Sequence, residues 1–237
     1  MKIILYTVLA ILPSIIWLLF YLRKDKHPEP NKIIIKIFSL GILATFGALL
    51  FQWLFKELIS TVFTIQLSFL FLGGMAFIEE YLKYFIVKKY VLKSPEFDEP
   101  TDAMLYLIIA ALGFAAAENI FLLNGLYMLG ASLNEVLIIV LGRFLGAVFL
   151  HALASGIVGY FLAYSLFSKA KRKIFIVVGI VLASCLHTLY NYIIIKVGPY
   201  NDLSTTAILL VILLGVMAIV VSLGFKKLKK LKSICKI

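Results

Sequence analysis

The chain has 237 residues, of which 63% are hydrophobic, and its mean hydropathy is +1.06. Soluble domains run at about 45–50% apolar, so composition excludes a water-soluble globular fold. The formal net charge of +11 does not signal a nucleic-acid binder, because most of the basic residues sit in short connections between oily runs.

A transmembrane helix needs about 20 mostly apolar residues. Seven runs qualify: Ile3–Leu22, Ile33–Phe55, Gln66–Val87, Met104–Leu123, Val136–Phe167, Ile174–Ile195 and Thr205–Phe225. The first has only Lys2 ahead of it and no small-residue cleavage site behind it, so it reads as a retained span rather than a signal peptide. The fifth is long, and Gly142 or Gly146 offers a place to break it, which would give an eighth segment. The expected fold is all-α: a polytopic transmembrane helical bundle of about seven to eight spans, one domain over residues 1–237 ending in a basic tail at 226–237.

Lys and Arg fall on alternate connections. Four lie in "RKDKHPEPNK" (23–32), three at 88, 89 and 93, four in "SKAKRK" (168–173) and six in the tail "KKLKKLKSICKI" (226–237). The opposite side has Lys2, Lys56 and Lys196. This asymmetry predicts the N-terminus outside and the C-terminus in the cytoplasm of a cell-membrane protein. It also predicts that the tail lies against anionic lipid headgroups. Cys185 lies in a span and Cys235 in the tail, so they should not pair. Cys185 and His187 are two residues apart and face different sides of a helix. In the polar loop "KSPEFDEPTD" (93–102), Thr101 or Asp102 is placed to cap the fourth helix.

Ionisable groups at membrane depth are expensive unless paired or wet, and mark function by default. Here they are Lys36, Glu79, Glu80, Lys83, Glu118, Arg143, His151 and His187, with Asn119 and Asn191 as buried amides. In "FIEEYLKYFI" (77–86), Glu79 and Lys83 have the favourable i,i+4 order for a helical ion pair. That leaves Glu80 facing elsewhere, and the expectation is that Glu79 pairs with Lys83 while Glu80 meets the water. Two adjacent carboxylates in low dielectric suit acid–base work. In "GFAAAENIF" (113–121), small residues allow close helix approach around Glu118 and Asn119. His151, Ser155 and Gly159 share a face of "FLHALASGIVGY" (149–160), and His187 and Asn191 share one of "CLHTLYNYI" (185–193). Each polar group also has a structural reading, as interhelical hydrogen bonding. Together, two carboxylate sites, two histidines and an amide in consecutive spans form the inventory of a water-activating hydrolase.

Other intramembrane chemistries fit poorly. No aspartate lies within a span, and no H-E-x-x-H motif is present. Ser155 in "LASG" lacks the glycine two residues before it that a serine-protease loop would carry.

Three ordered signatures remain: "EEYLK" (79–83) fits E-E-x-x-K, "FAAAEN" (114–119) fits F-x-x-x-E-N, and "HTLYN" (187–191) fits H-x-x-x-[ND]. With "HALASGIVGY" (151–160) and "FDEPTDAMLY" (97–106) between them, they resemble the PrsW family of intramembrane proteases, within the superfamily of CAAX-processing and bacteriocin-processing proteases. The resemblance runs from "FYLRKDKHPEP" (20–30) to the sixth span. It implies catalytic roles for Glu79, Glu80, His187 and Asn191, with Glu118 and His151 matching the intermediate signatures. It leaves two readings of the centre open: Zn²⁺ held by Glu118, His151 and His187, or water activated without metal. The implied reaction is hydrolysis of a peptide bond in a single-span membrane protein, an anti-sigma factor being the family's best-known substrate. Two alternatives stand beside it: a proton-coupled transporter, and a non-catalytic binding or immunity protein that keeps the fold.

Overall fold

The computed structural model describes residues 2–24, 27–62, 69–168, 170–197 and 203–231. Asp25, Lys26, Gln66, Lys169, Asp202 and the tail beyond Leu231, with Lys232, Cys235 and Lys236, lie outside the described residues. Eight α-helices follow one another, with no strand among the described residues: α1 (Lys2–Leu22), α2 (Asn31–Val62), α3 (Phe69–Tyr90), α4 (Asp102–Met128), α5 (Leu133–Leu145), α6 (Ala147–Leu166), α7 (Arg172–Tyr192) and α8 (Leu203–Leu228). A π-helical turn at Ile193–Val197 extends α7.

The apolar residues of α4 run round the whole helix, the pattern of a segment with no solvent face. Accordingly α4 is the axis of the bundle: every residue from Asp102 to Ala117 is buried, and α1, α2 and α6 pack along it. Helix α7 packs on α6 and α3, and α8 covers α6. The outer helices expose large apolar side chains such as Leu43, Trp53, Val177 and Val211. Six helical stretches are long and apolar enough to cross a membrane, with α5 and α6 taken together as one of them. Helix α3 is not among them, because Glu79, Glu80 and Lys83 interrupt its apolar sequence.

Two glycine positions set the geometry. At the α2–α4 crossing, a Cβ on Gly41 would lie 2.1 Å from the Ala110 carbonyl oxygen, and one on Gly113 would lie 2.0 Å from that of Phe38. The two backbones therefore touch at this point, which carries Gln52, about three turns further along α2, over the polar centre. The second position is Gly146, with φ −107° and ψ −94°, where the long fifth run breaks into α5 and α6. A Cβ there would sit 2.4 Å from Tyr190 Oη and 2.8 Å from the Gly142 carbonyl oxygen. Trp17 Nε1 donates to the Phe144 carbonyl oxygen at 2.9 Å, supplying a partner for a backbone group beside the break.

The expected cap of the fourth helix is not formed. Thr101 is itself helical and its side chain makes no cap bond. Asp102 Oδ2 instead accepts from the backbone N–H groups of Asp98 at 3.0 Å and Glu99 at 2.7 Å, residues that precede it. Its carboxylate ties down the loop, not the helix. A true capping box occurs at α5, between Ser132 and Glu135.

Candidate active site

Helix α3 presents Glu79, Glu80 and Lys83 to the interior, and all three are buried. Lys83 Nζ donates to Glu80 Oε1 at 2.8 Å and lies 3.9 Å from Glu79 Oε2. The expected Glu79–Lys83 ion pair is present but long, and Glu80, expected to meet the water, is instead the close, hydrogen-bonded partner of Lys83. The reason is tertiary. Spacings of three and four are both within reach on a helix, and Glu80 is the carboxylate enclosed by α6 and α7, where no water can compensate it. Ser155 Oγ of α6 donates to Glu80 Oε2 at 2.9 Å, and His187 Nδ1 of α7 lies 3.1 Å from Glu80 Oε1. Ser155 is therefore a carboxylate ligand here.

Glu79 turns the other way. Its Oε1 accepts from Gln52 Nε2 of α2 at 2.9 Å. Its Oε2 is buried without a hydrogen-bond partner and faces His187 Nε2 at 3.8 Å. With Nδ1–H given to Glu80, a neutral His187 carries its free lone pair on Nε2, towards Glu79.

His151 of α6 bridges two charges. Its Nδ1 lies 2.8 Å from Lys83 Nζ, and its Nε2 lies 2.9 Å from Glu118 Oε2. An ammonium only donates. A neutral His151 therefore accepts at Nδ1 and donates from Nε2 to Glu118. The Lys83 ammonium also sits 4.6 Å over the Phe114 ring. Arg143 Nη2 donates to the same Glu118 Oε2 at 3.2 Å. Arg143 Nε donates to Asn119 Oδ1, and Asn119 Nδ2 donates to the Ala10 carbonyl oxygen at 3.0 Å.

These groups border a cavity of about 410 Å³ lined by Glu79, Glu118, Arg143, His151, His187 and Asn191, with Leu49, Phe121 and Ile194 among its apolar walls. Glu80 and Lys83 are behind the wall. The structure thus gathers Glu79, Glu80, Glu118, His151 and His187 into one connected cluster, and Asn191 lines the same cavity. Gln52 and Arg143 had no assigned part in it. The signal for Gln52 was a lone amide in the apolar run "ALLFQWLF"; that for Arg143 was a charge inside a span, three residues before the glycine that breaks it. Lys36 stays outside, exposed and 5.4 Å over the Tyr90 ring. Cys185 is exposed while His187 is buried, as their spacing requires. The polar groups surround one cavity rather than running from face to face, which does not favour transport.

Residues 29–226 match the family model described as PrsW family intramembrane metalloprotease. The chain belongs to this family. Curated relatives named Protease PrsW cover from 74% to 95% of the chain. The one from Bacillus subtilis (strain 168) is 29% identical over 95% of this chain and 94% of its own. That from Geobacillus kaustophilus (strain HTA426) is 30% identical over 74% and 73%, and that from Clostridioides difficile (strain 630) 28% over 78% and 77%. No solved structure matches. Family and fold together make this a multi-pass membrane protease, a hydrolase of peptide bonds.

The family's description as metalloproteases raises the question of ligands. Among the described residues, one ligand atom each from Glu79, His151 and His187 lies within 4.8 Å of the others. This differs from the set Glu118, His151 and His187 by one carboxylate. Glu118 is engaged with Arg143 and His151, whereas Glu79 Oε2 is buried and unpartnered. One carboxylate oxygen and two imidazole nitrogens suit Zn²⁺, and the orphaned oxygen marks where a cation would be welcome.

Proposed function

We propose that the chain is an intramembrane endopeptidase in which Glu79 and His187 act on the scissile peptide bond. The observation that carries this reading is the buried, unpartnered Glu79 Oε2, 3.8 Å from His187 Nε2 at the wall of the cavity. Glu79 takes a proton from water as the water oxygen attacks the carbonyl carbon. It then returns that proton to the nitrogen as the C–N bond breaks. Asn191, one turn along α7 from His187, supplies an amide donor for the oxyanion. Glu80 is a positioning residue: it holds His187 through Nδ1 and is itself neutralised by Lys83.

In the alternative with a metal, Glu79, His151 and His187 would hold Zn²⁺, which would polarise the carbonyl and acidify the water in place of Glu79 acting as base. His151 would have to release Lys83 or Glu118 to offer it a nitrogen. The substrate is a single-span membrane protein, with an anti-sigma factor the class suggested by the family resemblance. The apolar side chains of α2, α4 and the turn after α7 at the cavity wall suit an unwinding apolar segment. The lysine asymmetry favours the cytoplasmic membrane with the N-terminus outside.

The test is cleavage of candidate single-span substrates by purified protein in liposomes. Glu79→Gln and His187→Ala should cut cleavage by about 10²–10⁴-fold while the protein still inserts and folds. Wild-type rates from both variants would reject the mechanism.

A further inference from the structure

A second cavity, of about 540 Å³, lies between α1, α8 and the α5–α6 break, and neither its walls nor its rim contributes to the proteolytic cluster. Its walls include Trp17, Phe20, Phe144, Phe149 and Phe225. Trp17 stacks on Phe149 with ring centroids 4.2 Å apart and planes 9° from parallel, and its Nε1 is fixed on the Phe144 carbonyl oxygen. The slot is thus pre-formed. One end is ringed by Lys24, Lys226 and Lys229, all exposed, and among the described residues no carboxylate lines the cavity. Lys229 Nζ donates to the Lys24 carbonyl oxygen, which brings the C-terminal ends of α1 and α8 together, and the Lys24 ammonium lies 4.7 Å over the Phe20 ring.

An apolar groove on the outside of a membrane bundle is filled by lipid whatever its chemistry. The lysines decide which lipid. Three ammonium groups at one end of an aromatic slot, with no carboxylate lining it among the described residues, match a phosphate-bearing headgroup of net negative charge. A zwitterionic headgroup would add its own cation to theirs. We propose that this groove is a binding site for one anionic phospholipid, its acyl chain along Trp17 and Phe149 and its phosphate among Lys24, Lys226 and Lys229. The site is independent of the proteolytic reading.

The chain has two tryptophans, so Trp53→Phe, at an exposed position, leaves Trp17 as the sole reporter. The protein is placed in phosphatidylcholine nanodiscs doped with equal mole fractions of either acyl-brominated phosphatidylglycerol or acyl-brominated phosphatidylcholine. The anionic lipid should quench Trp17 at the lower mole fraction. Each lysine is worth about five-fold in that preference, so Lys24→Gln, Lys226→Gln and Lys229→Gln together should bring the two lipids level. Unchanged quenching by brominated phosphatidylcholine in the triple variant reports an intact groove. Equal quenching by both lipids in the protein with its lysines intact, or a preference that survives in the triple variant, overturns the proposal. So does recovery of fluorescence on adding millimolar inorganic phosphate, which would make the lysines a site for a free anion.

Discussion

Glu80 and Lys83 form an ion pair from which water is excluded: both side chains are 0% exposed, and Lys83 Nζ lies 2.8 Å from Glu80 Oε1. Removing one member of such a pair leaves an uncompensated charge, at a cost of about 3–5 kcal/mol. Lys83→Met should therefore lower the unfolding midpoint in a denaturant titration in micelles. The double variant Lys83→Met/Glu80→Gln should recover most of that loss. A single variant as stable as the parent would show that Lys83 is not the neutralising group.

The two neighbouring glutamates should fail in different ways. Glu79 borders the cavity, so Glu79→Gln should cut cleavage by about 10²–10⁴-fold, the range for a lost acid–base group, with the unfolding midpoint unchanged. Glu80 acts through His187, and loss of such a supporting group costs about 10–100-fold. Glu80→Gln should therefore keep measurable activity while lowering stability. Rate and unfolding measured on the same preparations separate the two; matching losses in both would contradict the assignment.

Metal analysis distinguishes the two carboxylates that stand near the histidines. Any Zn²⁺ that co-purifies should be lost from Glu79→Gln and from His187→Ala but kept by Glu118→Gln, because Glu118 is already engaged by Arg143 and His151. Retention in Glu79→Gln with loss in Glu118→Gln would restore Glu118 as the ligand. Full activity after exhaustive chelation, with no metal detected, would assign hydrolysis to carboxylate-activated water alone.

The α2–α4 contact should be intolerant of a single methyl group. Gly41→Ala must push α2 away from the Ala110 carbonyl, at an overpacking cost of about 1–3 kcal/mol, and should carry Gln52 off Glu79. Gly215→Ala, where a Cβ meets nothing within 4 Å, is the control and should be silent. Equal stability and activity for the two would mean that α2 does not position the site.

The architecture was legible in the sequence because lipid imposes a simple rule on it. Runs of about 20 apolar residues become helices, and a glycine in an overlong run is a natural place to bend, as Gly146 does. The cluster was legible for a related reason: Glu118, His151 and His187 are too costly at membrane depth to be scattered. The choice between Glu79 and Glu80 was not. Spacing on α3 allows either to reach Lys83, and the decision comes from which face α6 and α7 cover. Gln52 stayed hidden because an uncharged amide costs little enough to pass as filler in α2. The failed cap at Thr101 shows the converse: a residue of the right type, with its neighbour's carboxylate drawn back to Asp98 and Glu99.

The buried pair in α3 also bears on how the protein is made. Helix α3 lacks the uninterrupted apolarity of the six strongest membrane-crossing stretches, and its charges find Ser155, His151 and His187 only on α6 and α7. Those helices leave the ribosome after it. Stable burial of α3 therefore waits for segments more than 60 residues downstream, as the separations of 68, 75 and 107 residues in its hydrogen bonds record. The polar cluster thus ties α3 to helices made later: a chain truncated before α7 would lack the His187 contact and leave α3 without part of its polar shell.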